Sequence, residues 1–111
     1  MLSHPSELAK GKVYLVGAGP GNPDLLTVRA VRILGLAGVV LHDALVSAEV
    51  LTLISSQARV VNIGKRCGQK SITQDEINEL LIRYATRGHI VVRLKSGDPW
   101  FLAVREKNWM F

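Results

Sequence analysis

The chain has 111 residues, of which 48% are apolar, enough for one small domain with an aliphatic core and too many for a disordered segment. Fourteen basic and nine acidic residues leave a formal charge of +5, which favours an anionic partner, yet no basic block alternates with aromatic residues as nucleic-acid binding would require. The single cysteine, Cys67, excludes an internal disulfide and suits a reducing cytoplasm; there is no zinc-ligand spacing, no apolar signal segment in Met1–Lys10, and no run near the ~20 residues that cross a bilayer.

Met1–Gly11 reads as a flexible leader. Val13–Val16 is a short apolar run, and a buried strand is expected over Lys12–Val16. Gly17-Ala18-Gly19-Pro20-Gly21 follows at once, then Asn22-Pro23-Asp24, a helix-start signal. Glycine lets backbone approach a ligand with no Cβ in the way, and a helix beginning here would aim its free N–H groups at the loop. The spacing is G-x-G-x-G, not the G-x-G-x-x-G of dinucleotide sites, and the same glycines also suit a tight turn with no ligand. The helix is expected from Pro23 or Asp24 to Gly35. Leu26, Ala30, Ile33, Leu34 and Ala37 lie on its apolar face and Arg29 and Arg32 point outward.

Val39–His42 is continuously apolar up to its last residue, as a parallel strand buried on both faces should be, and Asp43 stands at its carboxyl end. Ser47 is placed to cap a short helix reaching Ile54. Arg59–Ile63 is a third strand, ending in Gly64-Lys65-Arg66-Cys67-Gly68. Thr73 and Glu76 form a capping box for a helix whose Ile77, Leu80, Leu81, Tyr84 and Ala85 share one face; Gly88 ends it. His89–Leu94 is a fourth strand, followed by Lys95-Ser96-Gly97-Asp98-Pro99.

Alternating strands and helices predict an α/β domain with a mainly parallel sheet and flanking helices. Ligands of such sheets gather beyond the carboxyl ends of the strands. The glycine loop, Asp43, Lys65-Arg66 and Ser96-Gly97-Asp98 are all assigned to that edge. Taken singly, each has a plainer role: Asp43 as a turn cap, Lys65 and Arg66 as a solvated pair, Asp98-Pro99 as a turn.

Five collinear stretches carry a family resemblance: Val16–Thr27, Val39–Ser47, Gly64–Gly68, Gln74–Asn78 and Val91–Pro99. Together they resemble the tetrapyrrole methylase family, and D-x-L-V-S with G-K-R-x-G favours its uroporphyrinogen-III C-methyltransferase branch. The resemblance implies the N-terminal lobe of a two-lobed fold. It implies S-adenosyl-L-methionine as methyl donor, uroporphyrinogen III as substrate, precorrin-2 as product for sirohaem or cobalamin, and a cytoplasmic homodimer with no nucleic-acid, membrane or metal partner. By position, Pro20, Ser96, Gly97, Asp98 and Phe101 are implied cofactor contacts. Asp43 is the implied proton acceptor, Lys65 the proton donor, and Arg66 a contact for the polyacid substrate. Ser96 replaces a family glycine, and its Cβ is expected to restrict the loop or crowd the cofactor. His42 replaces a usual tyrosine.

The lobe is thus expected over residues 12–99. Beyond Pro99 the family runs on with F-G-R-x-G-E-E and a second lobe, whereas this chain has a divergent stretch at 100–111. Plausible codons for residues 101–111, read from the third base, encode F-G-R-A-G-E-E, so the tail is expected to be frameshifted and the truncated chain weak or inactive alone. Two other functions fit the same residues: an inert folded fragment, and a nucleotide- or nucleic-acid-binding module using the Gly17–Gly21 loop.

Overall fold

The computed structural model describes residues 11–64, 73–97 and 100–104. Five strands form one sheet: β1 (Lys12–Gly17), β2 (Val39–His42), β3 (Arg59–Asn62), β4 (Ile90–Lys95) and β5 (Trp100–Val104). Their order is β3-β2-β4-β1-β5. β4 pairs in parallel with both β1 and β2, and β2 in parallel with β3. The α/β, mainly parallel fold expected from the sequence is therefore present. β5 was not anticipated: it runs antiparallel to β1, with Gly17 opposite Trp100 and Val13 opposite Val104.

Among the described residues three α-helices cover the sheet: α1 (Val28–Leu36), α2 (Ala48–Leu51) and α3 (Gln74–Thr86). On one face α1 and α2 pack Ala30, Leu34 and Val50 against Val16, Val40 and Leu94. On the other face Ile77, Leu81 and Ala85 of α3 meet Val13, Leu41 and Val91. The alternation of strand side chains supplies both cores, as burial on two faces requires. Leu34, Leu41, Leu81 and Leu94 are each at most 1% exposed. The capping box forms as read: the Thr73 hydroxyl accepts from Glu76 N–H, and Glu76 accepts from Thr73 N–H.

Two local expectations are corrected. The helix expected from Pro23 or Asp24 begins later. Asn22 caps a single 3-10 turn at Pro23–Leu25, Leu26 is extended, and Thr27 caps α1 by accepting from Ala30 N–H. The free amides of α1 are thereby set back from the glycine loop. The reason is local competition: asparagine and threonine each cap the turn after them, and the second cap wins the longer helix. Gly11, expected to end a loose leader, is fixed. Its N–H donates to Ala85 O at 2.9 Å, and an added Cβ would collide with the Ala85 and His89 carbonyl oxygens.

Candidate active site

The four parallel strands all end on one edge, and the loops leaving β1, β2 and β4 are cross-linked there. After β1 the chain turns through Gly19 (φ +69°) and Gly21 (φ +114°), with Pro20 exposed between them. After β4 it turns through Ser96 and Gly97 (φ +110°). Ala18 N–H donates to Lys95 O at 2.6 Å, and Gly97 N–H to Gly19 O at 3.3 Å. Among the described residues, its own chain neighbours aside, no atom lies within 4 Å of a Cβ added at Gly97, so its backbone is bare on that side. An extended ligand can lie there against main-chain groups.

Asp43 leaves the end of β2 and reaches across to β4. One carboxylate oxygen, Oδ2, accepts from Ser96 N–H at 2.9 Å and from the Ser96 hydroxyl at 3.1 Å. The other, Oδ1, accepts from Leu45 N–H at 3.0 Å. Partial burial alone would raise the pKa of this carboxyl. The Ser96 and Leu45 N–H groups, the Ser96 hydroxyl and the charge of Arg93 outweigh it, and the net shift is downward. Ser96 has negative φ, since no non-glycine described residue adopts positive φ. Its Cβ therefore brings no backbone strain, and its hydroxyl becomes a second bond to Asp43. The neighbouring His42 is buried, with Nδ1 2.8 Å from Asp43 O; a carbonyl only accepts, so Nδ1 carries the proton.

Ser47 completes the edge. Its hydroxyl donates to Gly21 O at 2.8 Å while accepting from Val50 N–H at 3.2 Å, so one side chain both caps α2 and grips the glycine loop. Past β3, Gly64 is pressed against Ala44: an added Cβ would collide with the Ala44 N and Cβ. The loop that begins at Gly64 thus starts beside Asp43.

Of the residues singled out from the sequence, the fold brings Pro20, Asp43, Ser96 and Gly97 to this edge. Phe101 lies on the far flank. It sits on β5 opposite Val16, half-buried, 5.5 Å from the Tyr14 ring and beneath the Arg29 guanidinium, also at 5.5 Å. Three strand spacings of about 4.8 Å separate β5 from β2, and hence Phe101 from Asp43. Lys65, Arg66 and Asp98 lie outside the described residues.

Sequence reading missed two features. Arg93 is 9% exposed on the α3 face of β4, between Leu15 and Leu41, and donates to Leu94 O at 3.0 Å. Burial pulls its pKa down and the Asp43 charge pulls it up, with burial the larger effect. The available signal was a lone cation inside the apolar run Ile90–Leu94. The second is the Ser47–Gly21 bond, which has no local signature because 26 residues separate its partners.

A parallel sheet whose strand-end loops expose glycine backbone beside an ionised carboxylate is the arrangement in which α/β domains hold small ligands. The family model for Tetrapyrrole (Corrin/Porphyrin) Methylases matches residues 12–105, and the chain belongs to that family. It is 49% identical over 100 residues to a siroheme synthase of Methylobacillus flagellatus, covering 90% of this chain and 21% of that protein. It is 54% identical over 89 residues to the chloroplastic S-adenosyl-L-methionine-dependent uroporphyrinogen III methyltransferase of Arabidopsis thaliana, covering 80% and 24%. A solved structure of Thermus thermophilus uroporphyrin-III C-methyltransferase complexed with S-adenyl homocysteine superposes with TM-score 0.64 at 50% identity, covering 80% of this chain and 36% of that one. The chain therefore spans about a quarter or less of the curated relatives it matches. Among the described residues no helix is long and apolar enough to cross a membrane.

Proposed function

We propose that this chain carries the N-terminal lobe of an S-adenosyl-L-methionine-dependent C-methyltransferase that converts uroporphyrinogen III to precorrin-2 in sirohaem or cobalamin synthesis, acting as a cytoplasmic homodimer. The observation that carries the reading is the cross-linked edge, where the glycine loop, the Ser96-Gly97 turn and Asp43 meet. The open backbone at Gly97 fits a cofactor laid along it. Pro20, Ser96 and Gly97 would hold that cofactor, and Asp98 and Phe101 are proposed as further contacts. When bound, the cofactor supplies an electrophilic methyl group on a sulfonium sulfur.

Adding a methyl group to a pyrrole carbon obliges the ring to lose a proton, and Asp43 is assigned to receive it. A carboxylate offers about four lone-pair sites. Three are taken here, two on Oδ2 and one on Oδ1. The remaining acceptor site, on Oδ1, is where the proton would arrive. Lys65 is assigned to return a proton or balance charge; the residue before it, Gly64, packs against Ala44, next to Asp43. Arg66 and the excess of +5 suit a substrate bearing many carboxylates. Because the chain spans so little of its relatives, the 111-residue polypeptide alone is expected to give little or no turnover with uroporphyrinogen III and labelled S-adenosyl-L-methionine.

Cofactor binding is tested by thermal unfolding with S-adenosylhomocysteine. A ligand at 100 times its Kd stabilises the native state by about 2.7 kcal/mol. A rise in melting temperature with S-adenosylhomocysteine and none with a dinucleotide supports the reading; no rise at millimolar ligand refutes it.

A further inference from the structure

We infer that Ser47 is a positioning residue for the cofactor: its hydroxyl closes a ring of hydrogen bonds that ties the glycine loop to the loops after β2 and β4. The inference rests on the reading that this edge holds the cofactor.

The ring can be followed bond by bond. From Ser47 the hydroxyl donates to Gly21 O at 2.8 Å. Two residues back, Gly19 O accepts from Gly97 N–H at 3.3 Å. The adjacent Ser96 donates through both N–H and Oγ to Asp43 Oδ2. Asp43 Oδ1 accepts from Leu45 N–H, two residues before Ser47, and the circuit is complete. Three chain segments are thus joined in a circuit, with Ala18 N–H to Lys95 O at 2.6 Å as a further link between the loops after β1 and β4. The Gly19–Gly97 link is the longest of them and joins two glycine turns; the Ala18–Lys95 bond braces it on the strand side and the Ser47–Gly21 bond on the loop side.

Ser47 has a bland role as the cap of α2, and the chemistry separates the two roles. A cap needs only an acceptor for Val50 N–H, and aspartate or asparagine supplies one as well as serine does. The bond to Gly21 O needs a donor. One hydroxyl hydrogen goes to Gly21 and a lone pair to Val50, so serine fills both roles without conflict. Four residues of helix gain little from a cap. The donor function, reaching 26 residues along the chain, is the one that acts on the glycine loop. Holding that loop in its bound shape beforehand spares the ligand the cost of ordering it.

The experiment compares the parent chain with Ser47→Thr, Ser47→Asp and Ser47→Ala. Threonine keeps donor and acceptor, aspartate keeps the cap but has no hydrogen to donate at neutral pH, and alanine loses both. Two quantities are read: amide hydrogen exchange at Gly97, and the Kd for S-adenosylhomocysteine. Both are expected to hold for threonine. Both are expected to rise about fivefold for aspartate and alanine alike, the effect of one side-chain hydrogen bond. Unchanged Gly97 exchange in the aspartate and alanine variants overturns the ring, even where the parent binds S-adenosylhomocysteine. Parent-like affinity in the aspartate variant reduces Ser47 to a helix cap and overturns the inference. Faster Gly97 exchange in a chain that binds no S-adenosylhomocysteine upholds the ring and removes the cofactor reading instead.

Discussion

Asp43 should hold the fold as well as the site, and the geometry sets how much. Its carboxylate accepts three hydrogen bonds: two from Ser96, at 2.9 and 3.1 Å, that join the ends of β2 and β4, and one from Leu45 N–H, at 3.0 Å, that closes its own turn. At about 1 kcal/mol net per bond the ceiling is about 3 kcal/mol, and partial exposure lets water replace some of it, leaving about 2 kcal/mol for Asp43→Ala. In a domain of this size that lowers the melting temperature by about 8–16 °C. Asp43→Asn should fall between. Its one oxygen keeps both Ser96 bonds only by turning its amide against Leu45 N–H, which leaves two donors face to face. The sign of the pH dependence follows from the lowered pKa. The unfolded chain takes up the Asp43 proton more readily than the folded one, so the contribution is complete well above the ordinary aspartate value, about 3.9, and disappears as pH falls through the lower folded value. The assay is urea unfolding followed by far-UV circular dichroism, at pH 7 and at steps down to pH 3. The parent and Asp43→Asn should converge in stability toward the acid end. A loss under about 0.5 kcal/mol for Asp43→Ala at pH 7 would show that the carboxylate does not brace the edge.

Other outcomes are expected with different readouts. Ser96→Gly removes the hydroxyl donor but leaves the N–H bond, so the Asp43 carboxyl should titrate at higher pH than in the parent; carboxyl carbon chemical shifts followed by NMR check this, and an unchanged or lower value counts against it. Leu34 has no exposed surface between α1 and the sheet, and Leu34→Ala should cost about 3 kcal/mol in urea unfolding without altering the Asp43 titration. Thr73→Ala breaks the capping box and should cost about 1 kcal/mol, and Thr73→Ser much less. The nucleotide sequence encoding residues 100–111 should, one base out of frame, spell F-G-R-A-G-E-E; a locus with no such relative in any frame removes the frameshift.

Much of the fold was readable locally. Apolar runs at Lys12–Val16, Val39–His42 and His89–Leu94 marked strands to within a residue or so, because burial on both faces demands continuous hydrophobicity. The Thr73 capping box named its helix start outright, since all its bonds fall within four residues. The start of α1 was misplaced where two capping residues, Asn22 and Thr27, competed within one short stretch.

What the chain alone determined is the set of elements and the kinds of group at their ends: glycines after β1, a carboxylate after β2, a serine and glycine after β4. Those follow from contacts between near neighbours. Which strand lies beside which was decided only in three dimensions, where β4 inserts between β1 and β2 and β5 turns back along β1. The bonds that make the candidate site span 26 residues from Ser47 to Gly21 and 53 from Asp43 to Ser96. No local pattern encodes such a bond, because each partner would look the same beside a different neighbour; the order of the strands supplies it.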